Sequence, residues 1–183
     1  MKKILWVFFL LSLAGTANAQ FGIRAGYSSA NFSDTNFSSR SGFHAGAYYS
    51  IGTSFIKIEP GLQFAQKGYK GTDDFGVIID EQLNYIDIPV LVRLSLLPMV
   101  NVFAGPQASL LVSRNYQLGP INSTSLDVLT AYDLEGVVGA QVNLPMGLNL
   151  QASYDIGLRS LNYFNTDVKN RVFKISLGYS FNN

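Results

Sequence analysis

VFKISLGYSF, residues 172–181, decides the fold. Phe173, Ile175, Leu177, Tyr179 and Phe181 take every second position, with Lys174, Ser176, Gly178 and Ser180 between them. A helix would scatter this alternation around its circumference. A strand points successive side chains to opposite faces and so gathers the apolar ones on one side. The segment therefore reads as a β-strand with one apolar and one polar face.

Working back along the chain, the same period recurs seven times. Leu148, Leu150, Ala152, Tyr154, Ile156 and Leu158 alternate with Asn149, Gln151, Ser153, Asp155 and Arg159. Tyr132, Leu134, Val138, Ala140 and Val142 alternate with Asp133, Glu135, Gly139 and Gln141. Val100, Val102, Ala104, Ala108, Leu110 and Val112 face Asn101, Gly105, Gln107 and Ser109. Ile86, Ile88, Val90, Val92 and Leu94 are set against Tyr85, Asp87, Leu91 and Arg93. Ile56, Ile58, Pro60, Leu62 and Phe64 are set against Lys57, Glu59, Gly61, Gln63 and Lys67. The first two segments pair Phe43, Ala45, Ala47, Tyr49 and Ile51 with His44, Gly46, Tyr48 and Ser50, and Phe21, Ile23, Ala25 and Tyr27 with Gly22, Arg24, Gly26 and Ser28.

The expected fold is all-β, with eight antiparallel strands of about ten residues; at ~3.3 Å per residue and a tilt of ~40° each crosses roughly the 25 Å apolar band of an outer membrane. The strand charges Arg24, Lys57, Lys67, Arg93, Arg159, Lys174, Glu59, Asp87, Asp133, Glu135 and Asp155 all share the polar register. A soluble lipocalin-like barrel, apolar inside and charged outside, would show the same alternation. The connections separate the two. Residues 31–41, 69–82, 114–128 and 160–170 read as long polar loops, whereas 52–54, 97–99 and 145–147 read as tight turns. Long loops at one rim and short turns at the other mark an up-and-down transmembrane barrel with both termini on the short-turn, periplasmic side. Aromatic residues near strand ends, among them Phe21, Tyr27, Phe43, Phe64, Tyr179 and Phe181, suit interfacial girdles.

Upstream of the first strand, MKKILWVFFLLSLAGTANA, residues 1–19, has a signal peptide's layout: Lys2 and Lys3, an apolar run from Ile4 to Leu13, and Ala17-Asn18-Ala19 for cleavage. The mature domain is then expected at 20–183. Thirteen basic residues against twelve acidic ones leave no basic footprint for nucleic acid. The absence of cysteine rules out disulfides and a lipid-anchored cysteine.

Several stretches carry a family resemblance: GFHAGAYYSI at 42–51, IEPGLQFAQKGYKG at 58–71, LNYIDIPVLVRL at 83–94, FAGPQASLLVS at 103–113, GLNLQASYDIGLRSL at 147–161 and KNRVFKISLGYSF at 169–181. In this combination and order the chain resembles the PorT-like outer-membrane β-barrel family. The resemblance implies an eight-stranded barrel of the cell envelope, with no catalytic motif and a weak link to protein secretion.

The polar register implies a plugged lumen built from Arg24, His44, Lys57, Glu59, Lys67, Asp87, Arg93, Asp133, Glu135, Asp155, Arg159 and Lys174. Unpaired, each buried charge would cost several kcal/mol. Glu59 is expected to take Arg93 or Lys57, and Asp155 to take Arg159 or Lys174. Long charged side chains favour this plugged core over a narrow channel for small solutes. Pro60 and Pro89 lie inside strands, where each removes a ladder donor, and are expected at bulges.

His44 with Asp133 or Glu135 at one rim, and Ser109 or Ser153 as nucleophile, could form a lipid-modifying site, but no elbow motif supports it. Asp73, Asp74, Asp80 and Glu81 read as a solvated acidic loop without the spacing of a calcium loop. The pattern Asn-x-Ser/Thr at Asn31, Asn36 and Asn122, and Phe32 and Phe37 in NFSDTNFSSR, read as loop features. No catalytic, cofactor or metal site is assigned. Outer-membrane lipid, lipopolysaccharide and other envelope proteins are the expected surroundings of a monomeric, non-enzymatic barrel.

Overall fold

The computed structural model describes residues 18–32, 38–72, 76–119, 121–124, 132–159, 161–163 and 166–181. Residues 1–17 of the expected signal segment, Asn36, Phe37, Asp73 and Asp74 lie outside them. Eight strands make the wall: β1 Asn18–Phe32, β2 Ser38–Gly52, β3 Ile56–Thr72, β4 Ile78–Leu97, β5 Val100–Leu118, β7 Tyr132–Asn143, β8 Leu148–Gly157 and β11 Asn170–Ser180. Three short strands, β6 Ile121–Ser123, β9 Leu161–Tyr163 and β10 Thr166–Val168, lie in the connections on the long-loop side.

Each wall strand pairs antiparallel with its neighbours, and β1 pairs with both β2 and β11, so the sheet closes on itself. Closure leaves no wall strand with an open edge. Residues 53–55, 98–99 and 144–147 connect the strands at the short-turn rim. Thr53 shapes the first of these turns: its Oγ1 accepts from Ile56 N at 3.2 Å. Both ends of the wall meet at this rim, where Phe181 N donates to Phe21 O at 2.8 Å.

Burial is inverted relative to a soluble barrel. Leu62 and Leu177 are each 56% exposed and Phe43 is 51% exposed, whereas Lys67 is 1% and Asp87 and Glu135 are 0% exposed. Apolar side chains turned outward around a closed wall demand an apolar solvent, because in water they would forfeit their transfer free energy. This rules out the soluble alternative. Aromatic groups sit at both borders of the belt. Phe21 stacks on Phe181 at 5.6 Å near the short-turn rim, Tyr179 meets Phe181 edge-on at 5.1 Å, and Phe43 packs on Phe64 at 5.6 Å towards the other border.

Two sequence expectations are corrected. First, the strands run further towards the long-loop side than ten residues: β3, β4 and β5 span 17, 20 and 19 residues. Much of 69–82 and the start of 114–128 is therefore ladder, with Lys70 opposite Asp80 and Glu81 opposite Tyr116. Above the membrane both faces of a ladder can carry polar groups, so period-two hydropathy fades although the hydrogen bonds continue. Second, the bulges do not sit at Pro60 and Pro89. Register shifts fall between Ser39 and His44, between Asn84 and Tyr85, and between Ser95 and Leu97. Around the prolines the register is kept: Tyr48 opposes Gly61 and Ile51 opposes Ile58 with no pair recorded between, so the ladder lapses and resumes in phase.

Candidate functional site

The polar side chains of all eight wall strands converge in the lumen and form layers. Nearest the short turns, Glu59 of β3 is the hub. Arg93 of β4 approaches it with Nε at 2.6 Å and Nη2 at 2.7 Å, and Arg24 of β1 reaches the same carboxylate at 3.2 Å. Arg93 also donates to Gln141 Oε1 at 2.9 Å and to Gln151 Oε1 at 2.7 Å. Flat aromatic faces support the two guanidiniums, Tyr48 at 4.3 Å from Arg24 and Phe103 at 4.4 Å from Arg93. A guanidinium suits this position because its fork satisfies several acceptors while its face stacks on a ring.

At mid-height, two ammonium groups meet three carboxylates. Lys67 lies 2.7 Å from Glu135 and 3.1 Å from Asp87, and donates to Ser109 Oγ at 3.0 Å. Lys174 lies 2.6 Å from Asp155 and 3.1 Å from Asp87. Gln107 donates to Glu135 and, at 3.3 Å, to Asp155. The oxygens of Asp87, Glu135 and Asp155 lie within 4.8 Å of one another, a spacing that could hold a cation. The two ammonium groups already occupy that role, each bridging two of the carboxylates. This layer fills the cross-section: the adjoining cavities measure about 20 Å³ and 10 Å³, room for no more than a water apiece.

Towards the long loops, Arg114 Nε meets Glu81 Oε1 at 2.5 Å, both groups buried. Arg40 and Lys70 share Asp80 at 2.7 Å and 3.3 Å. Asp80 and Glu81 are thus paired ladder residues rather than part of a solvated acidic loop. Arg114 was invisible to the alternation for a local reason. In β5 the lumen residues Asn101, Gln107 and Ser109 are odd-numbered, which would aim an even-numbered residue at lipid. The irregularity at Asn84/Tyr85, where Asn84 opposes Ser113 but Tyr85 opposes Leu111, inserts one residue and brings Arg114 inward.

Not every residue of the expected network joins an ion pair. Arg159 follows the end of β8 and lies over the outward-facing ring of Tyr132 at 3.9 Å, so Asp155 goes to Lys174. Lys57 donates to the neutral Gln20 Oε1 at 3.0 Å. Asp133 accepts from Asn170 Nδ2 and from the Leu134 amide, both at 2.8 Å. His44 is buried deep in the wall rather than at the rim, and its Nε2 lies 2.7 Å from Ser176 Oγ. Neither Ser109 nor Ser153 is that partner. Among the described residues His44 Nδ1 has no hydrogen-bond partner, so no carboxylate orients the ring, and the adjoining space is only about 20 Å³. The pair lacks both the third member and the substrate access that nucleophilic catalysis needs.

A closed eight-stranded wall, apolar outside and ion-paired inside, defines a transmembrane β-barrel. Residues 4–181 match the family model described as outer membrane protein beta-barrel domain, and the chain belongs to that family. Its fold is similar to that of Ail, the attachment invasion locus protein of Yersinia pestis (17% identity, TM-score 0.60, 90% of this chain and 99% of that one). It is also similar to Neisserial surface protein A, NspA (18% identity, TM-score 0.58, 90% and 99%). Ail in complex with the heparin analogue sucrose octasulfate aligns comparably (15% identity, TM-score 0.59, 90% and 99%). At these identities the likeness is one of fold. No curated protein gives a significant match.

Proposed function

We propose that this protein is a non-enzymatic, non-conducting barrel of the outer membrane that acts as a structural or interaction component of the cell envelope. The supporting observation is the filled lumen: side chains from six strands close the middle of the barrel by ion pairs and amide hydrogen bonds, with water-sized voids beside them. Signal-peptide cleavage after Ala19 would leave β1 starting at Gln20, opposite Ser50 on the short-turn side. Termini and short turns then face the periplasm, and the extended β3–β4–β5 wall faces outward with lipopolysaccharide around its base. A part in protein secretion rests on the PorT-like stretches alone.

Two measurements test this reading. Purified full-length barrel in planar bilayers should give no ion-conductance steps; steady steps would replace it with the narrow-channel reading. A mild-detergent pull-down of tagged protein from its native outer membrane should bring down a stoichiometric envelope partner if the barrel belongs to an assembly. Recovery of the barrel alone would leave a free-standing structural role.

A further inference from the structure

Below the Arg93 layer the lumen opens at the short-turn rim into a cavity of about 570 Å³, within the size range of small-molecule sites. The filled mid-layer makes it a dead end, so a molecule that enters must leave by the same mouth. Its charge is unbalanced. Lys57 and Arg93 both line it and are direct cross-strand partners on β3 and β4. Like charges facing each other across a ladder repel. Among the described residues Glu59 is the one carboxylate in the lining, and Arg93 and Arg24 already share it. Two lining cations, with Arg24 behind them on the same carboxylate, therefore meet one described anion. Lys57 instead donates to the neutral Gln20 and, among the described residues, makes no direct ion pair with Glu59 or any other carboxylate. The rest of the lining is rich in amides, with Asn101, Gln141 and Asn143 offering both donors and acceptors.

We propose that this vestibule binds a small, carboxylate-bearing, amide-rich ligand of the class of a short free peptide. The carboxylate lies on Lys57 and relieves the Lys57–Arg93 repulsion, and the ligand's amides bond to the Asn and Gln side chains. The compartment it samples, the periplasm, rests on the orientation proposed above; the binding itself does not.

The test is calorimetric titration of the full barrel in lipid nanodiscs with trialanine, trialanine amide and inorganic phosphate. Trialanine should bind saturably; its C-terminal amide should bind at least about tenfold more weakly, the loss expected when a charge-assisted hydrogen bond is removed, and phosphate more weakly because it has no amides for the Asn and Gln side chains. Lys57→Gln should weaken trialanine about tenfold by the same reasoning. Lys70→Gln, at the opposite end, should not. The acid–amide comparison uses the unaltered chain, so it stands even if Lys57→Gln folds poorly. Equal binding of acid and amide, no saturable binding at millimolar ligand, or an unchanged affinity in folded Lys57→Gln would overturn the proposal. Phosphate binding as tightly as trialanine would overturn the peptide class. Protease mapping of whole cells reports orientation separately, so a reversed barrel that still binds would refute only the compartment.

Discussion

Lys67 on β3 and Glu135 on β7, 68 positions apart in the chain, face each other across the lumen with Nζ at 2.7 Å and 2.8 Å from the two carboxylate oxygens. Neither side chain is exposed to solvent. Buried charges of this kind are costly to isolate, because the partner left behind keeps its desolvation penalty without the compensating attraction. The consequences can be separated by charge count.

Lys67→Met leaves Asp87, Glu135 and Asp155 with Lys174 as their remaining cation. We expect a loss of about 3–5 kcal/mol in folding free energy, measured by urea unfolding in lipid vesicles. Glu135→Gln instead equalises two carboxylates with two ammonium groups and should cost clearly less. The double variant should recover part of the Lys67→Met loss. Equal losses in the two single variants would show that packing, rather than charge balance, governs the layer.

The outward face should respond to charge according to depth. Leu177, 56% exposed and central in β11, should cost about 2–4 kcal/mol as Leu177→Arg, whereas Ile78, 70% exposed at the end of β4, should cost about 0–1 kcal/mol as Ile78→Arg. A barrel with Leu177 in water would show no such difference. The same vesicle unfolding experiment reads both.

Gly139 lies beneath the Phe103 ring: a Cβ added there would sit 2.4 Å from Phe103 Cζ and 2.4 Å from Ala152 O. The same ring carries the Arg93 guanidinium on its face. Gly139→Val should therefore displace Phe103 and loosen the Glu59–Arg93 layer, costing about 1–3 kcal/mol by overpacking. Thermal loss of the barrel's heat-modifiable mobility on gels would register it, and the additional variant Phe103→Ala should relieve part of it.

The Glu81–Arg114 pair lies above the belt, in the part of β4 and β5 that extends past the apolar alternation. Arg114→Ala should leave the membrane-embedded barrel folded and heat-modifiable. It should also speed chymotrypsin cleavage near Tyr116 in intact barrels, because Glu81 loses its buried partner and the ladder opens locally. Unchanged cleavage would mean that backbone pairing alone holds this extension.

Strand number, order along the chain and facing were legible because period-two hydropathy is a local property of an extended chain. One face meets lipid and the other meets a shared interior, so every wall strand carries the same signature. Past the apolar belt, as at 69–72 and 78–82, the outward face no longer meets lipid and the signature stops before the strand does. Which cation meets which carboxylate is a different kind of fact. Arg24 and Glu59 are 35 residues apart, Lys174 and Asp87 are 87, and Arg93 and Gln151 are 58. Ring closure and strand stagger set these distances, and both depend on all eight strands at once. A single extra residue between Ser109 and Arg114 brings Arg114 inward, and the end of β8 carries Arg159 out over Tyr132. Period-two hydropathy is enough for an eight-stranded wall and for the list of side chains available to its interior. Their partners, the sealed mid-layer and the unbalanced vestibule arise from the closed three-dimensional arrangement, because electrostatic pairing follows distance in space and period-two spacing says nothing about it.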